Sequence, residues 1–146
     1  LGQVGDVEEI SPAILHVLIR AGYIPVVSTV GVGESGCAYN INADYAAAEI
    51  ACALSADTLV MLTDVLGIFS HYGDESTLTK RLTVKDARVM MSDGRVEGGM
   101  VPKVQSCIRA LEGGVRGAHI IDGRLPHSIA LELCTHAGIG TRMVLE

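Results

Sequence analysis

Short apolar runs rich in β-branched residues alternate with helix-like segments along this chain, and this alternation limits the fold more than any other feature of the sequence. A first helix is expected to begin at Ser11-Pro12 and to end at Gly22, because serine caps helices, proline fits their first turn and glycine ends them. The pattern predicts an α/β protein with a mainly parallel sheet that helices cover on both faces. We predict strands at 24–29, 58–62, 117–121 and 141–145, and helices at 43–54, 83–92, 101–112 and 127–136.

The composition narrows the kinds of partner that we expect. The 146 residues carry a net charge of −6 and include one phenylalanine and no tryptophan. No nucleic-acid partner is expected, because phosphate backbones require basic surfaces and single-stranded bases require aromatic platforms. The apolar runs are too short to cross a bilayer, so no membrane contact is expected. With 49% hydrophobic residues, the chain is expected to fold as one domain, residues 1–146.

The cysteines and histidines show no metal-binding spacing. The four cysteines lack a CxxC pair, and reduced buried thiols indicate a cytoplasmic protein. The five histidines lack an HExxH pattern, so no metal ligand is expected among them. The chain starts without methionine in the middle of an apolar pattern, which favours a piece of a longer protein.

Three polar residues stand at the start of an alanine-rich helix, in the stretch YNINAD at 39–44. Asn42 can cap the helix and Asp44 can complement its dipole, which explains two of the three without any ligand. Asn40 is left over. The alanines that follow let the helix lie close to the sheet, so that its N-terminus reaches the strand ends where ligands bind in such folds.

The glycine-rich stretch GVGESG, residues 31–36, matches a dinucleotide fingerprint, and Asp57 lies about twenty residues further on. That fingerprint requires a helix to start at its third glycine, whereas helix signals begin here only after Ile41. A glycine turn is therefore favoured. A nicotinamide-binding domain remains an alternative, which an NADH titration would detect.

Two further loops follow predicted elements. TDVLGIFS, residues 63–70, leaves a strand and opens an irregular excursion over 68–82; it is either a turn or a nucleotide wall. EGGMVPK, residues 97–103, places Lys103 in the first turn of a helix, where a cation costs up to about 1 kcal/mol. A surface lysine tolerates this cost. Alternatively, Lys103 and free backbone N–H groups face an anion, which would remove it.

YNINAD, TDVLGIFS, EGGMVPK, HIIDGRLPHSIALEL and GIGT occur in an order that resembles the acetylglutamate kinases of the amino acid kinase family. The resemblance implies an open αβα sandwich, of which this chain matches only the C-terminal, nucleotide-binding half. It also implies transfer of the ATP γ-phosphoryl group, with Mg²⁺, to the side-chain carboxylate of N-acetyl-L-glutamate in arginine biosynthesis. An aspartokinase or a glutamate 5-kinase is disfavoured by YNINAD followed by HIIDGR.

The resemblance assigns roles position by position. Asp44 and Lys103 match the catalytic pair, and Asn40 and Asn42 match residues that hold acetylglutamate. The matches to residues that line the nucleotide are Asp64, Val65, Leu66, Gly67, Ile68, Phe69, Arg95, Val96, Glu97, Gly98, Gly99 and Met100.

The resemblance also bears on regulation. His127, Gly138 and Gly140 match a region that binds feedback L-arginine in sensitive members. An arginine-sensing domain without catalysis, as in acetylglutamate synthase, is thus the main alternative. The family's N-terminal phosphate-gripping glycine motifs are absent, so we expect ATP binding without turnover by this chain alone, and a homo-oligomer for the full-length enzyme.

Overall fold

The computed structural model describes residues 2–71 and 73–146, so Tyr72 of the predicted excursion lies outside the described residues. A 3₁₀ turn at Glu75–Thr77 and an antiparallel bridge between Phe69 and Leu78 organise the excursion. In order, the elements are β1 Val4–Gly5, α1 Ala13–Arg20, β2 Val30–Val32, β3 Ala38–Ile41, α2 Ala43–Ala53, β4 Thr58–Thr63, β5 Arg81–Thr83, α3 Val84–Ser92, α4 Met100–Glu112, β6 Gly117–Asp122, α5 Ser128–Cys134 and β7 Thr141–Val144.

The strands form two sheets. One has four strands in the order β4-β6-β7-β5, with β4 parallel to β6, β5 parallel to β7, and β6 antiparallel to β7. The other has three strands in the order β1-β3-β2, in which β1 is parallel and β2 antiparallel to β3. The α/β prediction is confirmed, and the sheets are mixed. Among the described residues, no helix combines the length and the apolar character that crossing a bilayer requires.

Strand β6 is the centre of the fold, and all six of its residues are buried. Ala118 and Ile120 pack in one apolar core with Val104 and Cys107 of α4. His119, on the other face of the strand, contacts α5. A strand that is buried on both faces reads as a continuous apolar run, which is why 117–121 could be predicted from the sequence.

Helices α2 and α4 run in the same direction, side by side. Glu49 of α2 bonds Arg109 of α4 at 2.6 Å, and Cys52, three residues further on, reaches the backbone oxygens of Arg109 and Ala110 at 3.9 Å. Ala48 faces this contact and is fully buried. Small side chains let two helices approach closely, so the alanine run of α2 brings the N-terminal turns of both helices together.

The predicted strand at 24–29 is wrong. Ile24 and Val26 are 90% and 96% exposed, and this segment has no strand assignment. A strand needs a run of hydrogen bonds to a neighbour. Here the Thr29 oxygen accepts the N–H of Ile41 at 2.9 Å, but no strand pairing of the described residues extends along 24–28. The predicted cap of the first helix is also wrong, because the helix begins at Ala13 after Pro12 and no side chain caps it.

The close approach of α2 and α4 leads to a prediction about the stability of a variant. Replacing Ala48 by leucine would force a larger side chain into a filled contact, so we expect the free energy of unfolding to fall by about 1 to 3 kcal/mol. Ala130→Leu, at an exposed position of α5, is the matched control and should change it by less than about 0.5 kcal/mol. Equilibrium urea unfolding measures both, and equal effects would contradict the packing described here.

Candidate active site

The GVGESG stretch forms a β-hairpin turn between β2 and β3. Gly36 donates its N–H to the oxygen of Gly33 at 2.8 Å, and Gly33 donates to the oxygen of Cys37 at 3.0 Å. Gly36 has φ +78°, a conformation that favours glycine. The third glycine of the fingerprint therefore closes a hairpin and does not open a helix. This arrangement removes the basis for the nicotinamide alternative.

The polar residues before α2 have different environments. The Oδ1 atom of Asn42 accepts the N–H groups of Asp44 at 2.9 Å and Tyr45 at 3.3 Å, so Asn42 is the N-cap. Asn40 lies on β3, where its backbone pairs with Val4 and Val30, and it is exposed. The predicted cap is thus confirmed. The cap uses only the oxygen of the Asn42 amide and leaves its NH₂ group available as a donor.

Asp44 and Lys103 form an ion pair across the N-terminal turns of α2 and α4. Lys103 Nζ lies 2.9 Å from Oδ1 and 3.1 Å from Oδ2 of Asp44, and the side chains are 23% and 18% exposed. Beside them, the Tyr45 hydroxyl donates to Oε1 of Gln105 at 2.8 Å. The carboxylate compensates a lysine that opposes the dipole of its own helix. The unfavourable position of Lys103 in the sequence therefore has a structural explanation.

Hydrogen bonds occupy some of the backbone N–H groups at the start of α4. Met100 donates its N–H to the oxygen of Glu97, and Val101 donates to that of Gly98, both at 3.2 Å. Pro102 has no N–H. Among the described residues, the N–H groups of Gly98 and Gly99 remain without a recorded partner, and a Cβ at either glycine would meet no atom within 4 Å. Because these two residues carry no side chains, no side chain of their own covers the backbone just before α4.

A cavity of about 610 Å³ lies beside Lys103. Two loops that are distant in sequence form its walls: the loop after β4 and the loop before α4. Of the twelve predicted nucleotide residues, only Leu66 does not line it. The lining residues are Thr63, Asp64, Val65, Gly67, Ile68, Phe69, Arg95, Val96, Glu97, Gly98, Gly99, Met100 and Lys103.

The lining of this cavity combines apolar side chains, two cations and the carboxylates of Asp64 and Glu97. Val65 and Phe69 offer partly exposed apolar side chains and Ile68 is almost fully buried, whereas Arg95 and Lys103 are cationic. The guanidinium of Arg95 is also bonded to Asp93, which raises the pKa of Arg95 and lowers that of Asp93. Asp44, Asn40 and Asn42 do not line the cavity; Asp44 is linked to it through Lys103.

A second cavity, of about 810 Å³, lies against the three-stranded sheet. Carboxylates of Asp6, Glu8, Glu9 and Glu34 line it, together with apolar side chains, and its lining includes no lysine or arginine. An anionic ligand would meet repulsion there, because like charges at short range disfavour each other. The smaller cavity is therefore the better candidate for a phosphate-bearing ligand.

The residues matched to an arginine site lie at the two ends of α5. His127 precedes the helix with φ +60° and is exposed, and no side chain caps the helix there. Gly138 and Gly140 belong to the loop that follows the helix, and Lys80 donates to the oxygen of Gly138 at 3.3 Å. Among the described residues, no recorded hydrogen bond joins His127 to this loop.

A buried carboxylate fixes that loop. Glu132 Oε2 accepts the N–H groups of Ile139 at 2.6 Å and Gly140 at 3.0 Å, and Oε1 lies 2.7 Å from Nδ1 of His119. Burial raises the pKa of Glu132, but the bonds from His119, Gly140 and Ile139 outweigh it and lower the pKa overall. This arrangement was missed from the sequence, because glutamate in a short helix usually predicts an exposed side chain.

Comparison with known proteins identifies the class. Residues 2–122 match the amino acid kinase family, and the chain belongs to this family. It is 54% identical over 144 residues to acetylglutamate kinase from Moorella thermoacetica (strain ATCC 39073 / JCM 9320), which covers 99% of this chain and 49% of that protein. It is 53% identical over 146 residues to acetylglutamate kinase from Heliobacterium modesticaldum (strain ATCC 51547 / Ice1), which covers 100% of this chain and 49% of that protein. The chain spans about half the length of these curated relatives.

Solved structures agree on the fold. N-acetylglutamate synthase from Neisseria gonorrhoeae, complexed with coenzyme A and L-arginine, is similar at a TM-score of 0.89 and 31% identity, over 98% of this chain and 32% of that one. Carbamate kinase from Giardia lamblia is similar at a TM-score of 0.70 and 21% identity, over 94% of this chain and 46% of that one. The amino acid kinase-like fold is therefore confirmed.

The Glu132 cluster predicts a specific pH dependence. Because the folded pKa of Glu132 is lowered, its stabilising contribution is complete above the ordinary glutamate pKa and is lost as the pH falls through the lowered value. Glu132→Gln should cost about 1 to 3 kcal/mol at neutral pH, and this difference should shrink in acid. Urea unfolding across the acid range measures it, with exposed Glu75→Gln as control. A difference that persists or grows in acid would contradict the assignment.

Proposed function

We propose that this chain is the nucleotide-binding part of a kinase that transfers the γ-phosphoryl group of ATP to the side-chain carboxylate of N-acetyl-L-glutamate. The observation that carries the proposal is the Asp44–Lys103 ion pair, which stands beside a cavity lined by Arg95 and the Gly98-Gly99 backbone. The identity of about half of all residues to acetylglutamate kinases supports the choice of substrate.

The cavity suits a nucleotide in size and chemistry. Its volume of about 610 Å³ lies within the range of small-molecule sites. We propose that the apolar side chains after β4 hold the adenine, and that Lys103, Arg95 and the two glycines face the phosphates. Asp64 and Glu97 supply carboxylate oxygens near the same cavity. Mg²⁺ bound with the nucleotide would shield phosphate charge there, and these carboxylates would hold it directly or through water.

The proposed reaction needs no general base. The attacking carboxylate is already ionised at neutral pH, so one of its oxygens forms the new bond to the γ-phosphorus. The bond between that phosphorus and the ADP oxygen breaks, and the products are ADP and an acyl phosphate. Lys103 neutralises charge on the transferring group, and Asp44 keeps the ammonium in position for this.

Asn40 and Asn42 are proposed to hold acetylglutamate. Asn42 uses its oxygen as the helix cap, so its NH₂ group is the part left to donate to a substrate carboxylate or carbonyl. Asn40 is exposed on β3, two residues earlier. The cap therefore orients the donor of Asn42, since holding the oxygen in place fixes which side of the amide faces outward.

We further propose that the chain binds ATP but does not complete the reaction alone. It spans about half the length of its curated relatives. For the whole enzyme we propose a cytoplasmic homo-oligomer. The cavity has two cations in its lining, Arg95 and Lys103, whereas ATP carries a larger negative charge. Mg²⁺ bound with the nucleotide would offset part of this charge, and we propose that groups outside this chain offset the rest.

Arginine binding is a second candidate function. The similar synthase from Neisseria gonorrhoeae was solved with L-arginine, which supports testing the same ligand on this chain. The proposed site comprises His127, Gly138 and Gly140. The Asp44–Lys103 pair beside a cavity with Arg95 in its lining favours the kinase over a purely sensing domain, because a sensor needs no cationic site for a phosphoryl group.

Removing the lysine ammonium tests the nucleotide site. In calorimetric titrations of Mg-ATP, Lys103→Ala should raise Kd about tenfold or more, which corresponds to about 1.4 kcal/mol. Lys85→Ala, at an exposed position of α3, is the matched control and should leave Kd within about twofold.

Two results of that titration would contradict the proposal. Equal affinities of wild type and Lys103→Ala would show that Lys103 does not contact the bound phosphates. No binding by a wild-type chain that circular dichroism shows to be folded would argue against a nucleotide site in this chain.

A further inference from the structure

Thr141, at the start of β7, bonds directly to a wall of the nucleotide cavity. Its Oγ1 accepts the N–H of Ile68 at 2.8 Å, and the two residues are 73 positions apart in the sequence. Thr141 is fully buried, and Ile68 is 2% exposed. Ile68 lines the cavity, and Thr141 does not. Thr141 therefore contacts the loop from behind, on the side away from the ligand space.

The same loop is packed tightly onto Thr141. A Cβ placed on Gly67 would lie 2.6 Å from Thr141 Oγ1, 3.0 Å from the Thr141 backbone nitrogen and 3.0 Å from Cδ1 of Leu78. No side chain fits at such distances, so only glycine allows this approach. The loop that carries Ile68 is thus held by one hydrogen bond and by close packing at the adjacent residue.

Thr141 is in turn fixed by the buried Glu132 cluster. Gly140, the residue before it, donates its N–H to Glu132 at 3.0 Å, and Glu132 also contacts His119 of β6. These contacts form a continuous series from β6 through α5 and the 138–140 loop to the cavity wall. Each member of the series is buried or half-buried, so its bonds are shielded from competing water.

We propose that Thr141 is a positioning residue for the nucleotide, and that Glu132 holds Thr141 in place. The inference rests on the proposed function for its ligand, Mg-ATP, but not for its geometry. Thr141 does not touch the ligand space, and it acts by fixing the Ile68 backbone and with it the apolar wall of the cavity. Glu132 acts one step further away, through the N–H of Gly140.

The hydroxyl group can be removed without changing the size of the side chain. Thr141→Val keeps the volume and the β-branch but leaves the Ile68 N–H buried without an acceptor, which favours displacement of the loop. Thr141→Ser is the matched control, because it keeps the hydroxyl and loses only a methyl group. Glu132→Gln keeps the size and removes the charge that accepts the loop N–H groups.

Two measurements on this chain separate the geometry from the function. Amide hydrogen exchange of Ile68, followed by NMR without any ligand, should accelerate about tenfold or more in Thr141→Val and stay near wild type in Thr141→Ser. Calorimetric titration of Mg-ATP should show Kd raised about fivefold or more in Thr141→Val and nearly unchanged in Thr141→Ser. Glu132→Gln should change both quantities in the same direction, by less.

The outcomes distinguish this inference from the proposed function. Unchanged Ile68 exchange in a folded Thr141→Val variant overturns the hydrogen-bond assignment. Accelerated exchange with unchanged Mg-ATP affinity overturns the positioning role and leaves Thr141 a purely structural residue. If wild type binds no Mg-ATP, the proposed function fails, and Ile68 exchange still decides whether Thr141 holds the loop. Unchanged Ile68 exchange in Glu132→Gln removes Glu132 from the proposal.

Discussion

The contact between the N-terminal turns of α2 and α4 is the constraint on which the rest of the site depends. Two parallel helices place two positive dipole ends together, and the ammonium of Lys103 adds a further positive charge. Asp44 is the compensating anion, at 2.9 Å from Lys103. One carboxylate does not balance this combination, so the region still favours an anion, which is the electrostatic requirement of a phosphoryl-transfer site.

The mixed character of the four-stranded sheet matters for the same site. Strands β4 and β6 are parallel, and their last residues, Thr63 and Asp122, are register partners at the carboxyl ends of the two strands. Strand β7 runs antiparallel to β6 and starts at Thr141, opposite Ile120. Because β7 runs in the reverse direction, Thr141 lies at the end of the sheet where the loop after β4 forms the cavity wall. In an all-parallel sheet the start of β7 would lie at the opposite end of the strands.

Local signals in the sequence predicted most of the elements, and the family resemblance predicted most of the residues that line the candidate cavity. The apolar period gave α2, α4, β4 and β6 within a residue or two, and the capping pattern gave Asn42. The strand predicted at 24–29 is absent because an apolar run alone does not make a strand, which also requires a paired neighbour; among the described residues, no strand pairs along 24–28. The loop after β4 could be expected to line a ligand site, since ligands bind at strand ends in this class of fold, whereas the loop before α4 follows a helix and reaches the site through the packing of α4.

Long-range contacts account for what the sequence did not reveal. Thr141, Glu132 and His119 lie within the motifs that carry the family resemblance, but no role was assigned to them because their contacts join separate elements. Thr63 belongs to the TDVLGIFS motif but was not among the predicted nucleotide residues. It lines the cavity because β4 ends at this residue. The family resemblance named Asp44 and Lys103 together, whereas their direct ion pair, 59 positions apart, follows from the parallel packing of their helices.

The most direct measurement is the distance from Lys103 Nζ to the nearest phosphate oxygen, in a crystal structure of this chain with Mg²⁺ and a non-hydrolysable ATP analogue. Our account predicts a hydrogen-bond distance of about 3 Å, with Asp44 still in contact with Lys103 and the adenine against the loop after β4. A nucleotide bound in the acidic cavity on the three-stranded sheet, or a Lys103 that does not contact phosphate, would contradict it.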